Sequence, residues 1–445
     1  MSDLKENKMG TAPMKGLLIS VSSPIMVSML VQALYNMVDS LFVSRISENA
    51  LTAVSICFPI QQLMIALTVG LGVGVSSLVS RYLGKKDLPY AKRIANTAIF
   101  AYFLIGLFYI ISGIFFTNSF VDMQNIASTI KPDAKAYMRW VTICSLPLCY
   151  TICFERLLAS TGRTFYTMIT QGSGALANII LDPIFIFTFG LGVQGAAIAT
   201  VLGQLIGALT GLYFHIKKNH ELKIDFSLLK FDTTIIKEVL EIGFPSMVMQ
   251  SVSSFTLFVF NTILSAFSGT AVAFFGVFFK LQSFVVLPII GLSNGLLPVA
   301  AYNFGAKNKQ RVHDALKYAL IYSLSFMSIG LFLFLMFPVQ ILNVFNASPK
   351  MIEIGVPALR IIPISLIFAT VSIILSSMFQ ALGSGVPSLI ISLIRQVILL
   401  MPLAYYFSLS GRINRVWYSF LISEIIAFLI SIFLAKTIFK KADLD

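Results

Sequence analysis

Apolar runs of about 20 residues, separated by short breaks marked by charge, Gly or Pro, constrain this chain more than any single motif does. About twelve can be counted, beginning near Lys15, Leu51, Ala91, Ala134, Phe165, Gln194, Ile235, Ala271, Arg311, Glu353, Pro387 and Asn414. Hydrocarbon offers the backbone no hydrogen bonds, so such runs must be helices; the short alternating segments of a membrane barrel are not the pattern here. With 57% hydrophobic and 11% charged residues, a water-soluble domain is excluded. The fold class predicted is an all-α integral membrane protein. The start, "MSDLKENKMGTAPMKG", is polar and has no short apolar region with a small-residue cleavage site, so the first helix is expected to remain as an anchor.

Charge sets the orientation. With a cytoplasmic N-terminus, the inside loops include "RYLGKKDLPYAKR", "HIKKNHELKIDFSLLK", "NFGAKNKQR" and the tail "KTIFKK", which hold most of the Lys and Arg. Both termini are then cytoplasmic, and the expected location is the plasma (inner) membrane. The net charge of +13 has the same origin. It reads as topology and contact with anionic lipid rather than nucleic-acid binding, for which no basic–aromatic motif is present.

The chain repeats itself at a shift of 221 residues. Pro24 falls on Pro245, Gln61 on Gln282, Gly70 on Gly291, Gly74 on Gly295, Gly84 on Gly305 and Gly162 on Gly383. An even number of helices separates the copies, so the halves share one orientation and are related by an axis along the membrane normal. The organisation predicted is an N-terminal tail (1–14), an N-lobe of helices 1–6 (15–215), an inter-lobe loop (216–236), a C-lobe of helices 7–12 (237–438) and a short tail (439–445). Two pseudo-symmetric six-helix lobes enclose a cavity, and rocking one against the other gives alternating access. That favours a transporter.

The lobes differ in their buried polar residues. Asp39 lies in "LVQALYNMVDSLFVSRI", and an ionised Asp at the centre of a lipid-facing helix costs roughly 2.5–3.5 kcal/mol. It should therefore face protein or water and have a task. Counting rise from the span ends places Asp39, Asp182 and Thr200 at a common depth of roughly 9–11 Å, with Asn178 one turn deeper on the face of Asp182. The shift of 221 carries these four onto Phe260, Leu399, Leu403 and Leu421, which have no side-chain oxygen. Pro183 cannot donate to the carbonyl of Ile179, which leaves a further oxygen nearby. An all-oxygen set suits Na⁺, or a proton shared by two carboxylates. Taken singly, Asp39 could be a hydrogen-bonding interface residue, Asp182–Pro183 a helix-breaking pair, and Asn178 and Thr200 interhelical contacts. The set argues more strongly than its members.

"N178-I-I-L-D182-P183", Asp39 within "YNMVDSLFV" and the repeated Gly-rich second and eighth helices resemble the multidrug and toxic compound extrusion (MATE) family, in its bacterial MepA-like branch. The resemblance covers nearly the whole chain. It implies a twelve-helix, two-lobe efflux pump, not an enzyme, that exchanges H⁺ or Na⁺ for amphipathic, often cationic drugs and needs no other cofactor. It also implies that Asp39, Asn178, Asp182 and Thr200 form the N-lobe cation site, with Tyr35 and Asn36 as cavity neighbours. A monomer is the expected state.

The C-lobe departs from the family branch that carries acidic residues there. Lys280 and Arg395 lie in mid-span instead, about 14 and 20 Å from the outer surface, too deep to snorkel. They either pair with Glu424 or an aspartate, or line the substrate cavity beside Gln282. Glu155 and Arg156 are expected to pair with each other at the inner end of helix 4. Pro24 is a bend point in helix 1. Cys57, Cys144, Cys149 and Cys153 lack metal-ligand spacing and read as small core residues, and His215, His220 and His313 fall near cytoplasmic ends. The rival readings are a lipid-linked sugar flippase of the same superfamily, a polytopic membrane enzyme and a channel. The acidic N-lobe pair counts against the first; clustered acid–base residues and a selectivity filter, which the others need, are not evident.

Overall fold

The computed structural model describes residues 7–124, 126–345 and 347–444. Residues 1–6 of the expected N-terminal tail and residue 445 of the C-terminal one lie outside the described residues. The spans, in chain order, are α1 (Met14–Ser44), α2 (Glu48–Gly84), α3 (Leu88–Met123), α4, α5 (Thr164–Thr188), α6 (Gly192–Lys218), α7 (Thr233–Ser265), α8 (Gly269–Gly305), α9 (Lys309–Met336), α10 (Pro349–Ala381), α11 (Gly385–Ser408) and α12 (Ile413–Lys441). Here α4 is a broken span, Lys131–Ile143 followed by Leu146–Ser160, bent by 45° where Pro147 opens the second piece. The chain is a multi-pass membrane protein.

Each span begins a little before the position expected from hydropathy, the widest gap being Pro349 against the expected Glu353. At six of the spans a polar cap residue accounts for the difference. Ser47, Asp87, Asp232, Ser268, Asn308 and Ser348 each accept a hydrogen bond from a backbone N–H of the first turn, so the helix starts outside the apolar run. The caps also carry the repeat, since Ser47 and Ser268, and Asp87 and Asn308, are 221 apart. So are the positive-φ residues Lys86 and Lys307, at 61° and 56°.

Helix packing follows the same two-fold relation. A Cβ on Gly70 of α2 would meet the backbone of Met247 in α7, and one on Gly291 of α8 would meet that of Met26 in α1. Gly84 packs on the Tyr302 carbonyl and Gly305 on the Arg81 carbonyl, so the ends of α2 and α8 cross backbone to backbone. Only glycine permits that approach.

The packing differs sharply between the two ends of the bundle. At the end bearing the N-terminus the cores mix the halves: Leu17, Leu18 and Val21 of α1 pack with Leu296, Ala300, Met378 and Phe379, while Ile235, Val239 and Met247 of α7 pack with Leu71, Val75 and Leu78. At the far end each core belongs to one half, Val43, Ala53, Tyr137 and Ile186 in one cluster and Phe260, Phe274, Ile362 and Trp417 in the other. The halves are joined at the N-terminal end and separate at the far end. Helix α1 spans both regimes, with Pro24 between its two attachments.

Candidate functional site

The site is built where α5 and α6 cross. Gly174 and Gly203 face each other there, and a Cβ on Gly203 would stand 2.8 Å from the Gly174 carbonyl oxygen and 3.0 Å from the Asn178 Cβ. This approach lays Asn178 against Thr200, one turn along α6. With its amide turned to satisfy both ends, Asn178 donates to Asp182 Oδ2 at 3.3 Å and accepts from the Thr200 backbone N–H at 3.3 Å. Both Asn178 and Asp182 are buried. After Asp182, Pro183 ends the regular helix, and Ile184–Thr188 continue as a wider π turn that Gly195 of α6 packs against.

Helix α1 delivers Asp39 to the same place. The Asp39 and Asp182 carboxyl groups lie close enough to interact, while Asp39 Oδ1 is buried without a partner among the described residues. Two carboxylates this close repel when both are ionised, and a shared proton removes the repulsion. Asp39, Asn178, Asp182 and Thr200 are thus brought together, although the Thr200 hydroxyl itself donates to Ala196 O at 3.0 Å and the residue joins through its backbone. Tyr35, one turn below Asp39, is within electrostatic reach of Asp39, Glu155 and Asp182. Asn36 is not part of this group; its side chain is on the exposed face of α1.

The remaining expectations divide. Arg395 pairs with Glu424 of α12, Nε to Oε1 at 3.6 Å, which answers its position within a span. Lys280 is exposed and has no ion pair or hydrogen bond among the described residues; Gln282, on the same helix, is half-buried. None of these three reaches the Asp39–Asp182 group.

The expected Glu155–Arg156 pair does not form. Adjacent residues on a helix project about 100° apart and cannot face one another. Arg156 instead crosses to α8, donating to Asn294 Oδ1 at 3.4 Å, and Glu155 Oε1 is buried without a partner among the described residues. Glu155 thus joins Asp39 and Asp182 as a third carboxyl group with buried oxygen in the N-terminal half, which its neighbour's charge concealed in the sequence. The C-terminal half has a hydrogen-bonded set of its own, Thr256 to Gln396 at 3.3 Å and Gln396 to Ser392 at 3.0 Å, built from single polar residues that carry no shared sequence signal. Cys57, Cys149 and Cys153 are buried and all four cysteines are free thiols.

The MatE family model matches residues 24–184 and again residues 245–406. This chain belongs to the MATE family. The two matches begin 221 residues apart, at Pro24 and Pro245, so the family unit is the internal repeat itself. Among curated relatives, the multidrug export protein MepA of Staphylococcus aureus (strain MRSA252) is 26% identical over 420 residues, covering 93% of this chain and 91% of that protein. MepA of Staphylococcus haemolyticus (strain JCSC1435) is 26% identical over 428 residues, 95% of this chain and 94% of its own. A solved outward-facing conformation of a multidrug resistance MATE transporter superposes with a TM-score of 0.93 at 26% identity, covering both chains completely. The MATE fold of twelve helices in two pseudo-symmetric lobes is the architecture described above.

Proposed function

We propose that this MATE protein exports amphipathic, mainly cationic drugs by alternating access, driven by protons entering through the Asp39–Asp182 pair. The observation that carries the reading is the buried, unpartnered Oδ1 of Asp39 beside the buried Asp182 carboxyl group, which Asn178 holds in place. One proton holds the pair together, and its loss leaves two charges that repel. Na⁺ fits less well, because the Asn178 amide is already committed at both ends. The MepA relatives, named as multidrug export proteins, support the substrate class.

The charge change acts on a helix that belongs to two bodies. Below Pro24, α1 packs with the C-terminal half; above it, Val43 packs with the N-terminal half. A protonated pair draws the Asp39 segment against α5, and a bare pair pushes it away, so proton occupancy biases α1 between two positions. Pro24 supplies the bend point by removing one intrahelical hydrogen bond. The positive-inside pattern puts both termini in the cytoplasm of a plasma membrane, so the cleft at the far end faces outward. The flippase reading loses one of its two cavity cations, since Arg395 is paired with Glu424. Ethidium efflux from vesicles, with pH and Na⁺ gradients imposed separately, tests the proposal. Efflux that follows the Na⁺ gradient alone overturns proton coupling, and no efflux under either gradient overturns drug export.

A further inference from the structure

At the opposite end from the carboxyl pair, residues 7–12 run across the seam between the halves. Asn7 caps the short helix Lys8–Thr11 with its side-chain oxygen, accepting from the Met9 N–H at 3.0 Å. Its amide donates to the N-terminal half, to Thr161 O at 3.2 Å and to the Glu221 carboxylate at 3.3 Å. Glu221 is held in place by Arg163 at 2.9 Å. Two residues further on, the grip passes to the C-terminal half. The Met9 carbonyl accepts from Asn303 Nδ2 at 2.9 Å and from Arg311 Nη2 at 3.0 Å, and the Ala12 carbonyl accepts from Arg311 Nη2 at 2.8 Å. Asn303 and Arg311 are joined to each other at 2.9 Å.

Packing follows the hydrogen bonds. The Met9 side chain is fully buried and rests against Gly162, where the φ of +78° would strain any larger residue and its Cβ would press on Met9 Cγ. Gly10 lies against the Tyr302 ring. The strap is too short and too polar to be a membrane anchor, yet it is ordered on both halves at once. Opening this end must break one of its two sets of bonds. The set on the C-terminal half is the stronger, with three donations that include two from a guanidinium; the set on the N-terminal half depends on the single amide of Asn7. The inner part of α1, which follows the strap, also packs with the C-terminal half.

We propose that residues 7–12 are the inner latch of the transport cycle: Asn7 holds Thr161 and Glu221 while this end is closed and lets go as it opens, the strap travelling with Asn303 and Arg311. The proposal rests on the alternating-access reading above and adds the contact that sets how often the inner side opens.

The test uses the full chain with its four native cysteines replaced by alanine and spin labels at Lys218→Cys and Lys440→Cys, exposed positions on the two halves at this end. Asn7→Ala is expected to raise the ratio of long to short inter-label distances about tenfold, the shift that one or two lost net hydrogen bonds produce. An unchanged distance distribution overturns the latch. A second arm pairs Asn7→Cys with Glu221→Cys in the unlabelled protein. Oxidation to the disulfide should stop ethidium export and reduction should restore it, whereas full turnover with the disulfide closed overturns the proposal. The distance measurement needs neither drug nor gradient, so it remains decisive if drug export fails its own test. Unchanged distances in an actively exporting protein strike the latch alone.

Discussion

Gly174 and Gly203 meet backbone to backbone, so close that a methyl group on either would stand under 3.0 Å from the carbonyl oxygen of the other. This contact sets the spacing of α5 and α6, and so the reach from Asn178 to Thr200. Gly203→Ala should force the helices apart at an overpacking cost of about 1–3 kcal/mol. Transport should fall with it, because the Asn178 amide loses one of its two partners. Gly172 is the control, with nothing within 4 Å of an added Cβ. Gly172→Ala should leave thermal stability equal or higher, by up to about 1 kcal/mol. Thermal unfolding in detergent and dye efflux decide both; a Gly203→Ala protein as stable and active as the parent would show that this crossing does not position the site.

The Arg395–Glu424 pair sits within the C-terminal half, with side-chain exposures of 19% and 13%. Removing one partner of a buried ion pair leaves an uncompensated charge and typically costs about 3–5 kcal/mol, whereas replacing both by apolar groups is often neutral. Glu424→Gln should therefore destabilise more than the double variant Arg395→Met, Glu424→Leu. If the double variant is the less stable of the two in thermal unfolding, Arg395 has a task beyond neutralising Glu424.

Glu155 gives a prediction of opposite sign. Its Oε1 is buried with no partner among the described residues, so Glu155→Gln removes a desolvated charge and should not lower stability. The same change removes one of three carboxylates around Tyr35. Ethidium should then bind several-fold more weakly, in line with about 1 kcal/mol for a unit charge some 10 Å away at intermediate dielectric. Unchanged ethidium affinity in a binding titration would place Glu155 outside the field that the drug feels.

The twelve spans, the repeat and the four-residue polar set were legible because each depends on local or periodic properties: apolar length, glycine at fixed offsets, and depth counted along a helix. The strap was not legible. Asn7 meets Glu221 across 214 positions of sequence, and a polar tail gives no periodic signal of what it will cross. Glu155 was hidden for a different reason: opposite charges at i and i+1 suggest a pair along the sequence, but helix geometry points them at different neighbours. The part played by Thr200 was legible only in outline, since its backbone rather than its hydroxyl makes the contact with Asn178.

The last prediction separates the charge switch from the hinge. Asp39→Asn or Asp182→Asn keeps the shape and most of the hydrogen bonding of the site but removes the group that titrates, so folding should be near normal and gradient-driven efflux should be lost. Pro24→Ala leaves the switch intact and restores a donor to α1, which stiffens the bend without abolishing it. Efflux should then be impaired, but less completely than in either Asn variant. Drug binding without a gradient should survive in all three, weakened in the Asn variants by no more than the several-fold expected for Glu155→Gln, because the cleft keeps its shape. The double variant Asp39→Asn, Asp182→Asn gives the decisive measurement: if it still drives ethidium out along an imposed pH gradient, protons enter by some other route and the carboxyl pair is only a structural clasp between α1 and α5.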